Sequence, residues 1–208
     1  QNFAIAKEIS ARLKQQSPET NVIWGGEFPT LLPGQAINYC DSIVIGSFEP
    51  IADQLVTDLH NNQLQQSYDG QGKYRLSKVF IPNVTSLYNS DRYYSFMGIP
   101  IETSRGCDKK CTFCMVHVMQ SVSDLKPISL LRDELNQYAG HYINVVDYNI
   151  AVNRDHLLAV ANTIEKSHVL GWMAELCLES LDDEEVLIAL QKSRCRIIYC
   201  GLESLDEQ

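Results

Sequence analysis

The residues best suited to chemistry lie in Thr103-Ser104-Arg105-Gly106-Cys107-Asp108-Lys109-Lys110-Cys111-Thr112-Phe113-Cys114. Three of the chain's seven cysteines fall within these eight last positions. Such packing points to a metal or redox site more than to a disulfide framework. Three thiolates on one short loop can converge on one face of an iron–sulfur cubane, leaving one iron of four without a protein ligand. An open coordination position is where a metal site does chemistry. The alternatives are three unremarkable thiols, or a zinc site with nearby His117 as the candidate fourth ligand.

A loop of this kind needs rigid elements behind it. Ile99 to Thr103 reads as a strand feeding the cysteines, and Ile128, Leu131, Leu135 and Tyr138 share a helix face. Tyr142 to Val146 is a strand ending at Asp147, followed by a helix face of Leu157, Ala161 and Ile164 with Asn153 as its cap. Trp172 to Leu178 is the next strand. A helix then starts at Asp182 to Glu185, where acidic residues suit the positive helix end, with Val186, Leu187 and Leu190 facing inward. Arg196 to Cys200 is the fourth strand. Four strand–helix units in succession suggest part of a β/α barrel, whose active sites lie at the C-terminal ends of its strands. Cys177, Cys195 and Cys200 sit in or beside apolar segments and read as core residues.

The N-terminal third has a different rhythm. Ile5, Ile9 and Leu13 fall on one helical face closed by Ser17-Pro18. Asn21 to Trp24 and Ser42 to Ile45 are short buried strands. Pro29 and Pro33 bracket a loop, a short helix runs through Gln35 to Tyr39, and Ile51, Leu55 and Leu59 mark another helix. This alternation implies a parallel, doubly wound, Rossmann-like sheet. From Asn61 to Met97 the pattern fades into polar residues. The expected organisation is a Rossmann-like module over 1–62, a linker over 63–97 and the first half of a barrel over 98–208.

The chain has 208 residues and a formal net charge of −9, which fits a phosphate-backbone partner poorly. No apolar run reaches the length of a membrane span. The N-terminus lacks the pattern of a secretory signal, so a reducing cytoplasm is the default compartment. There is no initiator Met, the first residues already read as helix, and the last follow a strand closely. Both ends are those expected of a piece of a longer chain.

Cys107-x-x-x-Cys111-x-x-Cys114, with Phe113 before the last cysteine, resembles the signature of the radical S-adenosylmethionine (SAM) superfamily. The resemblance implies a [4Fe-4S] cluster on Cys107, Cys111 and Cys114. Its open iron chelates SAM, and reductive cleavage yields a 5′-deoxyadenosyl radical that abstracts hydrogen from substrate. It further implies Phe113 beside the adenine, and SAM contacts from Asp147, Glu175, Glu203 and Ser204 at the barrel strand ends. Arg105 would neutralise the thiolates or the SAM carboxylate, or else form a structural salt bridge. A reducing partner such as flavodoxin or ferredoxin is implied as well.

Val22-Ile23-Trp24-Gly25-Gly26-Glu27-Phe28-Pro29-Thr30 and Ile43-Val44-Ile45-Gly46-Ser47-Phe48-Glu49 resemble the C-terminal part of the cobalamin (B12)-binding domain that precedes the barrel in one radical SAM class. Gly25, Gly26, Pro29, Thr30, Gly46 and Glu49 are the implied cobalamin contacts. There are two departures from that pattern. The upstream Asp-x-His-x-x-Gly motif is absent, and the usual Gly-Glu-Gly-Glu stretch is Gly46-Ser47-Phe48-Glu49 here. The implied activity is cobalamin-dependent methylation or rearrangement of an unactivated small-molecule or peptide substrate. The alternatives are a tRNA-modifying methylthiotransferase and a non-catalytic corrinoid- or zinc-binding module. The methylthiotransferase would need three more cysteines near the N-terminus, where only Cys40 occurs.

Overall fold

A computed structural model describes residues 2–78, 98–120 and 123–203. The chain divides into two compact units, Gln1–Tyr74 and Arg75–Gln208. The first runs α1 (Phe3–Gln16), β1 (Ile23–Trp24), α2 (Glu27–Leu31), α3 (Pro33–Ala36), β2 (Ser42–Gly46), α4 (Ala52–His60) and β3 (Ser67–Gly70). Its strands are parallel, in the order β1-β2-β3. Register and the two-residue strand period put Ile23, Val44 and Tyr68 on one face, with Trp24 and Ile43 on the other. Val44 and Tyr68 form a small core with Ile51 and Leu55. On the opposite face Trp24 Nε1 donates to Ser10 Oγ of α1 at 2.9 Å, and the indole joins an aromatic cluster with Phe3, Phe28 and Tyr39. Helices therefore cover both faces of this sheet.

Three local expectations change. Ile5, Ile9 and Leu13 are 59, 53 and 40 % exposed, and α1 meets the sheet through Phe3 and Ser10 instead. Periodicity tells which residues share a face but not which way that face turns. The stretch holding Pro29 and Pro33 is helical. Each proline occupies a first-turn position, where a helix needs no amide hydrogen. Finally β3, Ser-Tyr-Asp-Gly, falls within the expected linker. Only Tyr68 and Gly70 of it are buried, too few to give a strand pattern.

Two glycines are required where the loops after β2 and β3 press together. A Cβ on Gly46, whose φ is +74°, would come 2.7 Å from the Gln71 backbone, and one on Gly70 would come 1.9 Å from the Ser47 carbonyl oxygen.

The second unit runs β4 (Ile99–Ile101), β5 (Ser104–Arg105), α5 (Val116–Met119), β6 (Asp124–Leu125), α6 (Ile128–Gln137), β7 (Tyr142–Val145), α7 (Arg154–Glu165), β8 (Gly171–Glu175), α8 (Glu184–Lys192) and β9 (Cys195–Tyr199). Strands β4, β7, β8 and β9 form a parallel sheet in that order, which is the order of the chain. Alternate residues Ile99, Ile101, Ile143, Val145, Trp172 and Ala174 share a core with Leu131, Leu135, Leu157, Ile164, Val186 and Leu190 from α6, α7 and α8. Each such side chain contributes about 1.5–3 kcal/mol by leaving water. Leu187, expected to face inward, is 44 % exposed. Cys195 and Cys200 pack against this core as expected, only partly buried.

The crossover helices are closed by side chains. The Asn153 side chain accepts from the His156 amide at the start of α7, and Asp183 accepts from the Glu185 and Val186 amides at the start of α8. The Arg194 guanidinium donates to the carbonyls of Ile164, Glu165 and Ser167 at the end of α7. Among the described residues no helix is long and apolar enough to cross a membrane.

Strands β5 and β6 pair antiparallel as a short ribbon, which sets Arg105 opposite Asp124. Lys126, just beyond β6, forms a 2.7 Å ion pair with Glu134 of α6, with side chains only 3 and 9 % exposed. Removing one member of a buried pair leaves the other charge without compensation. Lys126→Ala should therefore lower unfolding free energy by about 3–5 kcal/mol. The double replacement Lys126→Met with Glu134→Leu should recover most of that loss, as read by denaturant midpoints. For the first unit, Gly70→Ala should lower the midpoint more than Gly26→Ala, because a Cβ on Gly26 meets no atom within 4 Å.

Candidate functional site

The cysteine loop is rooted on β5 and exposed at its tip. Cys107 and Cys114 are half-buried and Cys111 is exposed. The Cys114 amide donates to the Cys111 carbonyl at 3.1 Å, a tight turn between two of the candidate ligands. Lys109 of the loop lies 4.0 Å from Glu179, in the segment after β8, so this part of the loop reaches the C-terminal end of the sheet. A donor set of three thiols suits an iron–sulfur centre. The sulfurs do not converge in this conformation: among the described residues no three His, Cys, Asp or Glu side chains are gathered as a metal site. Thiolates repel one another, and the metal itself supplies the attraction that draws them together. His117, on α5, has a buried Nδ1 without a hydrogen-bond partner among the described residues, but it joins no such group either.

The other expected residues spread over the strand ends. Phe113 is 66 % exposed at the loop tip. Glu175 ends β8, exposed, and borders a cavity of about 520 Å³ with Asn144, Val146, Tyr148, Met173 and Tyr199. This cavity lies on the sheet face opposite the core. Glu203 is exposed beyond β9 with a left-handed φ of 53°. Its carboxylate lies against Gly201, where a Cβ would come 2.1 Å from Oε1. Ser204 lies outside the described residues. Arg105 takes the structural alternative, with Nε and Nη2 both donating to the Glu102 carboxylate, the latter at 2.7 Å. Asn149, which the sequence reading passed over, ties two strand ends together. Its Oδ1 accepts from the Ala151 and Cys177 amides.

In the first unit Gly25, Gly26 and Gly46 follow or end β1 and β2. Thr30 joins them, since its hydroxyl donates to the Gly26 carbonyl at 2.7 Å and accepts from the Gly46 amide at 2.9 Å. Pro29 is buried and Glu49 exposed. Gly46 is occupied by the chain's own Gln71, whereas Gly26 faces open space. Gly70, at the end of β3, completes this glycine edge and was hidden in the polar stretch.

Asp147, an expected SAM contact, lies just beyond β7 and lines the same cavity as Glu175. It is 2 % exposed, and its carboxylate accepts from the Thr103 amide at 2.7 Å, the Thr103 hydroxyl at 2.6 Å and the Ser104 hydroxyl at 2.8 Å. Burial raises its pKa to about 6, against the opposing pull of these hydrogen bonds. A carboxyl whose folded pKa lies above its unfolded value stabilises the fold most below the unfolded value, near 3.8, and loses that contribution as pH rises through about 6. Asp147→Asn cannot ionise. Relative to this variant, the parent should lose about 2 kcal/mol between pH 4 and pH 7. Denaturant melts of both proteins at the two pH values measure the difference.

No family model matches the chain. It is 25 % identical, over 214 aligned residues, to a bacteriochlorophyllide d C-12(1)-methyltransferase of Chlorobaculum tepidum, covering 99 % of this chain and 46 % of that protein. It is 22 % identical, over 220 residues, to the bacteriochlorophyllide d C-8(2)-methyltransferase of the same organism, covering 99 % and 47 %. The chain thus spans about half the length of the curated relatives it matches, and both of these relatives are methyltransferases.

Proposed function

We propose that this chain is part of a cobalamin-dependent radical SAM methyltransferase. Residues 98–208 would be the first half of its β/α barrel, and residues 1–74, which include β3, the end of its cobalamin-binding domain. The observation that carries this reading is a three-cysteine loop that follows the first strand of a parallel sheet by way of the short β5, the sheet's strand order following the chain and its helices lying on one face. A doubly wound sheet would reverse strand order at a switch point; a barrel does not. The similarity to two methyltransferases supports methyl transfer as the reaction.

When bound, a [4Fe-4S] cluster with SAM supplies a 5′-deoxyadenosyl radical, and cobalamin supplies a transferable methyl group. Cys107, Cys111 and Cys114 would hold the cluster. Phe113 offers an exposed ring to an adenine, and Glu175 an acceptor for ribose hydroxyls or an ammonium group. Tyr148, Met173 and Tyr199 would give the cavity an apolar wall for a substrate to pack against. Gly26 leaves room for a corrin or its tail. A chlorin is the first substrate to test, since the two relatives are named for one.

Anaerobic reconstitution with iron and sulfide should load about four irons per chain. The cluster spectrum should change on adding SAM. Cys111→Ala should lose the cluster and SAM cleavage together. One tightly held zinc, with no response to SAM, would sink the radical SAM assignment. Equilibrium dialysis against hydroxocobalamin tests the first unit separately, and a chain that retains none removes the cobalamin arm.

A further inference from the structure

Beneath the cysteine loop lies a compact node of buried polar groups that the proposed chemistry does not itself use. Thr103 is fully buried between β4 and β5. Its amide and hydroxyl donate to Asp147, at the end of β7. Its carbonyl accepts from the Lys126 amide at 2.8 Å and faces His156 Nε2 of α7 at 3.0 Å. Ser104, 1 % exposed, adds a third hydrogen bond to Asp147. Lys126 is tied in turn to Glu134 of α6. The two ends of the loop, Thr103 and Lys126, are thereby fastened to β7, α6 and α7 by groups between 0 and 8 % exposed.

A sheet does not need such a node to be stable. Apolar side chains of similar volume would bury more cheaply than a carboxylate facing three neutral donors. The node flanks the paired residues Arg105 and Asp124, between which the cysteine segment runs, and Ser104, one of its members, is three residues before Cys107.

We infer that Asp147 is a positioning residue for the proposed cluster: through Thr103 and Ser104 it sets the root of the cysteine loop, and it does not bind SAM. This role rests on the reading of the three cysteines as cluster ligands. A direct SAM contact would leave loop geometry intact and weaken SAM binding when lost. A positioning contact would loosen the loop and its cluster while leaving each loaded site's affinity for SAM alone.

The test uses Thr103→Val, which keeps the shape and loses one donor, together with Asp147→Asn and the conservative Thr103→Ser. Ile164→Val serves as a distant core control of reduced stability. In the chain without metal, amide hydrogen exchange at residues 104–107 and 124–126 should quicken at least tenfold in Thr103→Val and Asp147→Asn. Exchange in β8 and β9 should stay unchanged. Thr103→Ser should restore the parent rates, and Ile164→Val should leave those two segments alone. After reconstitution, the same two variants should release iron to a chelator at least tenfold faster and broaden the reduced cluster's electron paramagnetic resonance signal. Their SAM affinity per loaded cluster should stay within twofold. Unchanged exchange at the loop root overturns the inference, as does a tenfold loss of SAM affinity with normal cluster retention. A parent chain that takes up no cluster defeats the proposed function instead, and the exchange arm still decides whether Asp147 sets the loop root.

Discussion

The carboxylate of Asp147 sits out of water with three donors converging on it and, among the described residues, no cation in hydrogen-bonding contact. Burial of a lone carboxylate is costly, and hydrogen bonds to the charged form offset that cost only while all three are kept in place. That requirement turns a polar residue into a constraint on geometry. β4 cannot slide along β7, nor can the chain turn differently into β5, without leaving a buried charge unsatisfied. The cysteine loop inherits its starting point from this joint. Its tip is exposed at Cys111.

The two units solve the burial of a parallel sheet differently. In the first, three strands carry helices on both faces, and the glycine-rich strand ends form its open edge. In the second, helices line one face only, and the other face keeps a cavity bordered by Glu175, Tyr148 and Tyr199. That one-sided arrangement exposes Ile197 and Tyr199 at 42 and 52 % and leaves room for chemistry at the strand ends. The resemblance to methyltransferases runs along nearly the whole chain, so it concerns both units.

The glycines at the strand ends of the first unit differ in what surrounds them. Gly46 and Gly70 are glycine because neighbouring backbone fills the space a Cβ would need. Gly26 has a positive φ with open space beside it, so conformation explains the residue and the space is left for a partner. Thr30 links the two cases by hydrogen-bonding both loops.

The cysteine spacing, the strand-by-strand alternation after Ile99 and the Asn153 cap were legible in the sequence, because each depends on residues close together along the chain. Periodicity likewise identified Leu131, Leu135, Leu157 and Ile164 as core. Local pattern could not tell that the Ile5-Ile9-Leu13 stripe faces outward, that Ser-Tyr-Asp-Gly is a strand, or that the Asp147 carboxylate accepts from Thr103. Those outcomes depend on contacts between residues far apart in sequence: Ser10 with Trp24, β3 with β2, and Asp147 with a partner 44 positions away. A residue's chemistry is written in its own side chain. Whether that side chain meets solvent, ligand or a buried hydroxyl is decided only when distant segments are brought together.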